Sequence, residues 1–296
     1  MKAPGWKREI ALSKVLFATD FSPASDAGLA YAATIADRYH SELYIAHVLG
    51  LGPFGLIDPG PTPAMILEAH EQARQKIERL VEARGLPSDH CHPVVAEGRT
   101  PEVLLELLVR DNIDMAILGT HGHRALKKLW LGSVAEEVFR GAPCPVLTVG
   151  PKVHSSPGQV AIKHILYPLE SVPDSSLAAE YAVSLAEQYA ATLSVMNVRE
   201  DMPLSANKEE KITEAGRHWI EDHVSKGSEL RGRLRFERGF GPAGKAILDF
   251  ATKTAVDLIV IFVCPADPDL AAHLPGPDTA YEVAGAAPCP VLTVRG

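Results

Sequence analysis

The stretch GTHGHRALKKLWLGSVAEEV, from Gly119 to Val138, carries residue types that suit an anion seat. Gly119, Gly122 and Gly132 leave the backbone free and without an obstructing Cβ, so successive N–H groups can turn toward phosphate oxygens. Arg124, Lys127 and Lys128 add positive charge, and no acid intervenes before Glu136. Ser133 and Glu136 have the Ser-x-x-Glu spacing of a capping box, which predicts a helix starting at Ser133 with its unpaired amides beside the loop. Such an end attracts anions. A glycine-rich turn with a solvated basic face accounts for the same residues, and glycine motifs recur by chance.

Other constellations are weaker. Asp89, His90, Cys91 and His92 are all of metal-ligand types, but strand neighbours point to opposite faces, so only His90 and His92 could share an ion. No second cluster at a known spacing accompanies them, and no metal site is assigned. Cys91, Cys144, Cys264 and Cys289 form no CxxC pair, which argues against a zinc knuckle or redox dithiol and for reduced, buried thiols. No GxxxxGK[ST] loop, Ser/His/Asp set or paired carboxylates can be defended, so no catalytic residue is assigned.

The elements that position the loop come from a duplication. At an offset of 150, residues 14–48 align with 164–198 without gaps, pairing Leu16 with Leu166, Pro23 with Pro173 and Tyr31 with Tyr181. APCPVLTV occurs at Ala142 to Val149 and again at Ala287 to Val294, with the linker-like GPKVHSSPGQVAIK between the halves. We expect domains at 1–155 and 156–296. In the first half, VLFAT, ELYIAHV, HPVVA, DMAILG and PVLTV read as five strands covered on both faces. Helical stripes such as Ile66, Ala69, Ala73, Ile77 and Leu80, stopped by Gly85 and Pro87, lie between them. Ser22 and Pro23 mark another helix start. The alternation predicts an α/β fold in which each half is a doubly wound parallel sheet, and such sheets bind ligands beyond the carboxyl ends of their strands. Gly119 ends the fourth strand, on that rim.

Composition sets the class. With 46% hydrophobic and 22% charged residues, the 296-residue chain reads as an ordinary soluble protein. Its 29 basic and 37 acidic residues, net charge −8, argue against broad contact with nucleic acid or anionic membrane. No apolar run approaches the roughly 20 residues of a membrane helix, and MKAPGWKREIALSK lacks a signal's apolar stretch, so a cytoplasmic location is expected.

Taken together, Gly119 and Gly122, nine residues, then Gly132 and Ser133, flanked by DMAILGTHG and RGAPCPVLTV, resemble the nucleotide-binding pattern of the universal stress proteins in their tandem form. The resemblance covers nearly all of both halves. It implies two Rossmann-like, adenine-nucleotide-alpha-hydrolase-like domains with five-stranded parallel sheets in the order 3-2-1-4-5, which sets strands one and four side by side. It also implies ATP as ligand, with or without Mg2+. Asp20 matches the family's adenine-contacting aspartate, and Ala18, Thr19, Asp20 and Val48 would line the adenine and ribose end. Leu118, Gly119, Thr120, His121 and Gly122 would approach the ribose and first phosphates, and Gly132, Ser133 and Val134 the outer phosphates. Ser133 could also serve only as a helix cap, and Asp20 only as a cap for the first helix.

The second copy departs from this pattern. Phe262 and Pro265 replace Gly119 and Gly122, Glu170 replaces Asp20, and Asp267, Asp269 and Asp278 stand where the first copy has its cations. Reversed charge and lost backbone freedom predict a like fold with a degenerate nucleotide site. The resemblance further implies pairing through the fifth strands, here by the two PCPVLTV segments within one chain, and a homodimer of tandem chains. Cys144 and Cys289, at equivalent positions there, are expected as reduced thiols rather than a redox link.

The expected function is therefore that of an ATP-binding stress-response regulator, with a slow ATPase and a scaffold that holds no nucleotide as alternatives. The long loop GLGPFGLIDPGPTPAM from Gly50 is either a lid, a partner surface or disordered. Deleting Gly52 to Pro61 and measuring ATP affinity by calorimetry separates these: a lid gives weaker binding, and unchanged affinity excludes one.

Overall fold

A computed structural model describes residues 10–50, 62–120, 131–153, 160–169, 176–199, 217–218, 220–263 and 277–295. The chain divides into two compact units, Ala11–Val160 and Ala161–Gly296, and Ile10 groups with the second. There the Ile10 N–H donates to the Ser184 hydroxyl at 3.3 Å.

The first unit runs β1 (Lys14–Ala18), α1 (Pro23–Tyr39), β2 (Glu42–Gly50), α2 (Pro63–Ala83), a 3-10 turn (Ser88–His90), β3 (Cys91–Gly98), α3 (Thr100–Arg110), β4 (Met115–Gly119), α4 (Ser133–Gly141) and β5 (Val146–Val149). Its strands lie in the order β3-β2-β1-β4-β5, every neighbouring pair parallel. Parallel neighbours need crossovers, which the helices supply. Val15, Leu16 and Phe17 of β1 are all buried, as a central strand covered on both faces requires. Ala18 pairs with Ala46 on one side and with Leu118 on the other, so β1 and β4 stop nearly level while β2 runs on four residues past them, to Gly50, beside β3.

Local chemistry places the helices. Ser22 caps α1, its hydroxyl accepting the Ser25 N–H, Pro23 fixes the first helical turn, and His40 ends the helix at φ 55°. Thr62 and Pro63 start α2 in the same way, and Gly85 follows its end at φ 61°. The buried line of α2 is Ala73, Ile77 and Val81, so the apolar stripe continues to Val81 where the spacing predicted Leu80. The first turns of α2 leave Met65 and Leu67 exposed, beyond the end of the core.

The second unit runs β6 (His164–Leu169), α5 (Ser176–Gln188), β7 (Thr192–Arg199), a 3-10 turn (Glu229–Arg233), β8 (Leu234–Phe240), α6 (Ala243–Lys253), β9 (Leu258–Val263), α7 (Pro277–Ala286) and β10 (Val291–Arg295). Read from its other edge, its order β8-β7-β6-β9-β10 is 3-2-1-4-5 counted within its own five strands, again all parallel. The duplication reaches single hydrogen bonds. The Lys14 N–H donates to the Asp114 carboxylate at 2.9 Å in the first unit, and the His164 N–H to the Asp257 carboxylate at 2.9 Å in the second. Phe17 and Tyr167 are the large buried side chains of the two central strands.

Cys91, Cys144 and Cys289 are free thiols. Cys144 and Cys289 lie just before β5 and β10 rather than within them, and burial pushes each thiol up to about 12. Among the described residues no helix is long and apolar enough to cross a membrane.

Phe17 is 1% exposed, and Phe17→Ala opens a cavity beneath α1. The expected loss is about 3–5 kcal/mol, read from urea unfolding; a loss below about 1 kcal/mol contradicts this packing.

Candidate functional site

Beyond the carboxyl ends of β1 and β4, and beside the part of β2 that runs on past them, lies a cleft of about 460 Å³. All the described candidates line it: Ala18, Thr19, Asp20, Val48, Leu118, Gly119, Thr120, Gly132, Ser133 and Val134. His121 and Gly122 lie outside the described residues, as do Arg124, Lys127 and Lys128 and the loop 51–61. In the second unit Glu170, Pro265, Asp267, Asp269 and the side chain of Asp278 also lie outside them. Phe262, at the position of Gly119, is described and is buried at the end of β9.

The β1–α1 turn is clamped by its own side chains. Phe21 has φ 60°, an uncommon conformation for a bulky residue. Its N–H donates to the Thr19 hydroxyl at 3.0 Å, and the Ser22 N–H donates to Oδ1 of Asp20 at 2.9 Å. The Thr19 hydroxyl also meets the Ser25 hydroxyl at 3.0 Å, and the latter donates to the Ser22 carbonyl at 2.9 Å. Asp20 thus uses one oxygen on the turn while lining the cleft.

The far side is built on backbone. The Thr120 N–H donates to the Val149 carbonyl at 3.0 Å, and the Thr120 carbonyl accepts the Gly132 N–H at 2.7 Å. A Cβ at position 132 would stand 2.8 Å from that carbonyl oxygen, so only glycine fits without moving backbone. The N-cap of α4 is this Gly132, with φ −61° and ψ 152°, and Ser133 is the first helical residue. The expected capping box is therefore replaced. Glu136 turns instead to Arg140, 3.1 Å away, while its N–H donates to the Gly132 carbonyl at 2.8 Å. The first N–H groups of α4 have no acceptor within the helix, and Ser133 and Val134 carry them to the cleft wall. Arg99, just before α3, grips both oxygens of Glu137 at 2.6 and 2.7 Å, linking the start of α3 to the middle of α4.

Ser25, Ala46, His47, Thr100, Leu104 and Ala135 also line the cleft. His47 is the most informative addition. Its Nδ1–H donates to the Thr19 carbonyl at 2.8 Å, and its ring lies 4.4 Å from that of Phe21, over which the Lys76 ammonium sits at 5.4 Å. Burial, its largest influence, holds the His47 pKa below 6.5 and keeps the ring neutral near pH 7, although the Thr19 carbonyl opposes this. A polar residue near the end of the apolar run ELYIAHV was the available signal.

The histidines at 90 and 92 do come together, on Glu42. Nδ1 of His90 is 2.9 Å from one Glu42 oxygen and Nε2 of His92 is 2.5 Å from the other. His92 and then His90 hold the Glu42 carboxyl below its ordinary range, and Glu42 in turn raises His90. Among the described residues no group of three or more His, Cys, Asp or Glu is placed to hold a metal ion.

The family model described as Universal stress protein family matches residues 12–150 and again 161–295. A universal stress protein of Methanocaldococcus jannaschii is 31% identical over 140 residues, 46% of this chain and 81% of that protein. Universal stress protein A homolog 1 of Coxiella burnetii is 33% identical over 138 residues, 46% of this chain and 94% of that protein. A solved universal stress protein of Archaeoglobus fulgidus shares the fold across 97% of this chain and 99% of its own, with TM-score 0.69 at 18% identity. The chain belongs to the universal stress protein family and carries two of its domains in tandem.

A depressed histidine pKa means that the unfolded chain takes up its proton near pH 6.5, before the folded chain does. His47 therefore adds stability that is complete above that pH and is lost as pH falls toward the folded value. Nuclear magnetic resonance titration should place His47 below 6.5, and His47→Phe should flatten the acid side of the stability profile. An unchanged profile together with an ordinary titration contradicts the burial argument.

Proposed function

We propose that the first unit binds ATP in the cleft beyond β1 and β4, and that the protein acts as a nucleotide-binding regulator. The observation that carries this reading is the gathering, in one cleft of about 460 Å³, of residues from β1, β2, β4 and the first turn of α4. That volume falls in the ordinary range of small-molecule sites, about 300–1,000 Å³.

The residues present fit a nucleotide. Asp20 and Val48 would hold the base and ribose, with the neutral His47 ring packing beneath Phe21. Gly119 and Thr120 would follow the ribose and first phosphates. The amides at the start of α4, with Gly132, Ser133 and Val134, would take the outer phosphates, since a helix amino terminus favours negative charge. His121 and Gly122, and the cations Arg124, Lys127 and Lys128, extend this seat by their place in the sequence. Bound Mg2+ would supply further phosphate neutralisation. Asp20 is the one carboxylate among the described residues lining the cleft, and it is already committed in part to Ser22, which favours binding over turnover.

The second domain is proposed to be structural or regulatory, because Phe262 fills the place of Gly119. A cytoplasmic location and a homodimer of tandem chains complete the proposal. Net charge −8 speaks against nucleic acid as a partner.

Calorimetry of the full chain tests the site. ATP should bind, Gly132→Ala should weaken binding at least about tenfold by forcing the Thr120 carbonyl aside, and Asp20→Asn should weaken it less. Circular dichroism confirms that each variant is folded. No binding by the wild type, or wild-type affinity in both folded variants, contradicts the proposal.

A further inference from the structure

At the amino-terminal ends of β2 and β3, opposite the cleft, the first unit holds a second cavity of about 330 Å³. One wall is a face of α1, where Ala30, Ala33 and Ala36 leave space that larger side chains would have filled. The turn that ends α2 supplies Arg84 and Leu86, and Leu43 of β2 adds an apolar surface.

The polar groups around this cavity are mostly committed. The Thr34 hydroxyl donates to the Ala30 carbonyl at 2.9 Å and accepts the Val160 N–H at 3.1 Å. The Ser41 hydroxyl donates to the Leu12 carbonyl, His90 is held by Glu42, and Asp37 already has a partner. Arg84 and His40 are different. Among the described residues, the side chains of Arg84 and His40 make no hydrogen bond or ion pair. Arg84 is part-buried in the cavity wall, so an anion held there would meet a cation that no described carboxylate already neutralises. The last turn of α2 contains no base, so Arg84 at its C-cap also offsets the negative end of that helix. That attraction leaves the five N–H donors of the guanidinium without acceptors.

We propose that this cavity is a second binding site, for a small carboxylic acid with an apolar body. The body lies against Leu43, Leu86 and the alanine face of α1, and the carboxylate pairs with Arg84, with His40 beside it. The chemistry is charge-assisted recognition of a carboxylate by a planar fork of donors, over a floor that rewards burial of hydrocarbon. It uses none of the residues assigned to ATP.

Octanoate and its neutral counterpart 1-octanol are suitable probes, titrated into the isotope-labelled full chain and followed by amide chemical shifts. Octanoate should move the amides of Ala33, Arg84 and Leu86 and leave those of Gly119 and Gly132 in place. Arg84→Gln should weaken octanoate binding about tenfold, to the level at which 1-octanol binds the wild type. Ala33→Phe should fill the cavity and abolish both. The Arg84 variant, on a partly exposed side chain, keeps the test open should the Ala33 variant misfold. Absent shifts at millimolar octanoate, shifts at other amides, equal binding of acid and alcohol, or wild-type binding by Arg84→Gln overturns the proposal.

Discussion

A single backbone hydrogen bond, from the Gly132 N–H to the Thr120 carbonyl, brings the start of α4 back to the end of β4. Its 2.7 Å length leaves no room for a side chain at position 132, where a Cβ would come within 2.8 Å of the oxygen. Thr120 is in turn tied to β5 through Val149, so the closure is anchored in the sheet rather than in a loop. Everything proposed for the cleft depends on this. It aims the unpaired amides of α4 at the space beyond β1, where the turn from Thr19 to Ser25 holds Asp20 in place. A helix amino terminus acts over about one turn, so a small displacement of α4 would remove its effect.

The two units show one fold under different demands. Both central strands bury a large aromatic residue, Phe17 or Tyr167, and both are pinned by an aspartate, Asp114 or Asp257. These features concern packing and backbone pairing, and they are retained. The strand-end position that lines the cleft in the first unit differs: Gly119 pairs with Val149 in one unit, and Phe262 with Val294 in the other. Phe262 is buried there and adds aromatic surface to the core of the second unit. The same sheet is thus built with a glycine or with a buried aromatic residue at that position.

The strands were legible because parallel strands covered on both faces must be nearly all apolar, as VLFA and MAILG are. Ser22 with Pro23 was legible because capping is local chemistry. The partners that sequence reading missed are set by tertiary geometry. His47 reaches the cleft because β1 stops level with Ala46 while β2 runs on, a matter of register that spacing along one strand does not reveal. Ser133 fits a capping pattern, but the close approach to Thr120 makes Gly132 the cap, and Thr120 lies outside any local window. His90 and His92 were the one pair of the cluster from Asp89 to His92 able to share an ion, a site not assigned from sequence, and both instead meet Glu42, brought alongside by the pairing of β2 with β3.

One tandem chain is proposed to offer one seat to ATP, in its first unit. Native mass spectrometry of the full chain at saturating ATP tests this most directly. A single added nucleotide per chain is expected, and none, or two per chain, overturns the proposal.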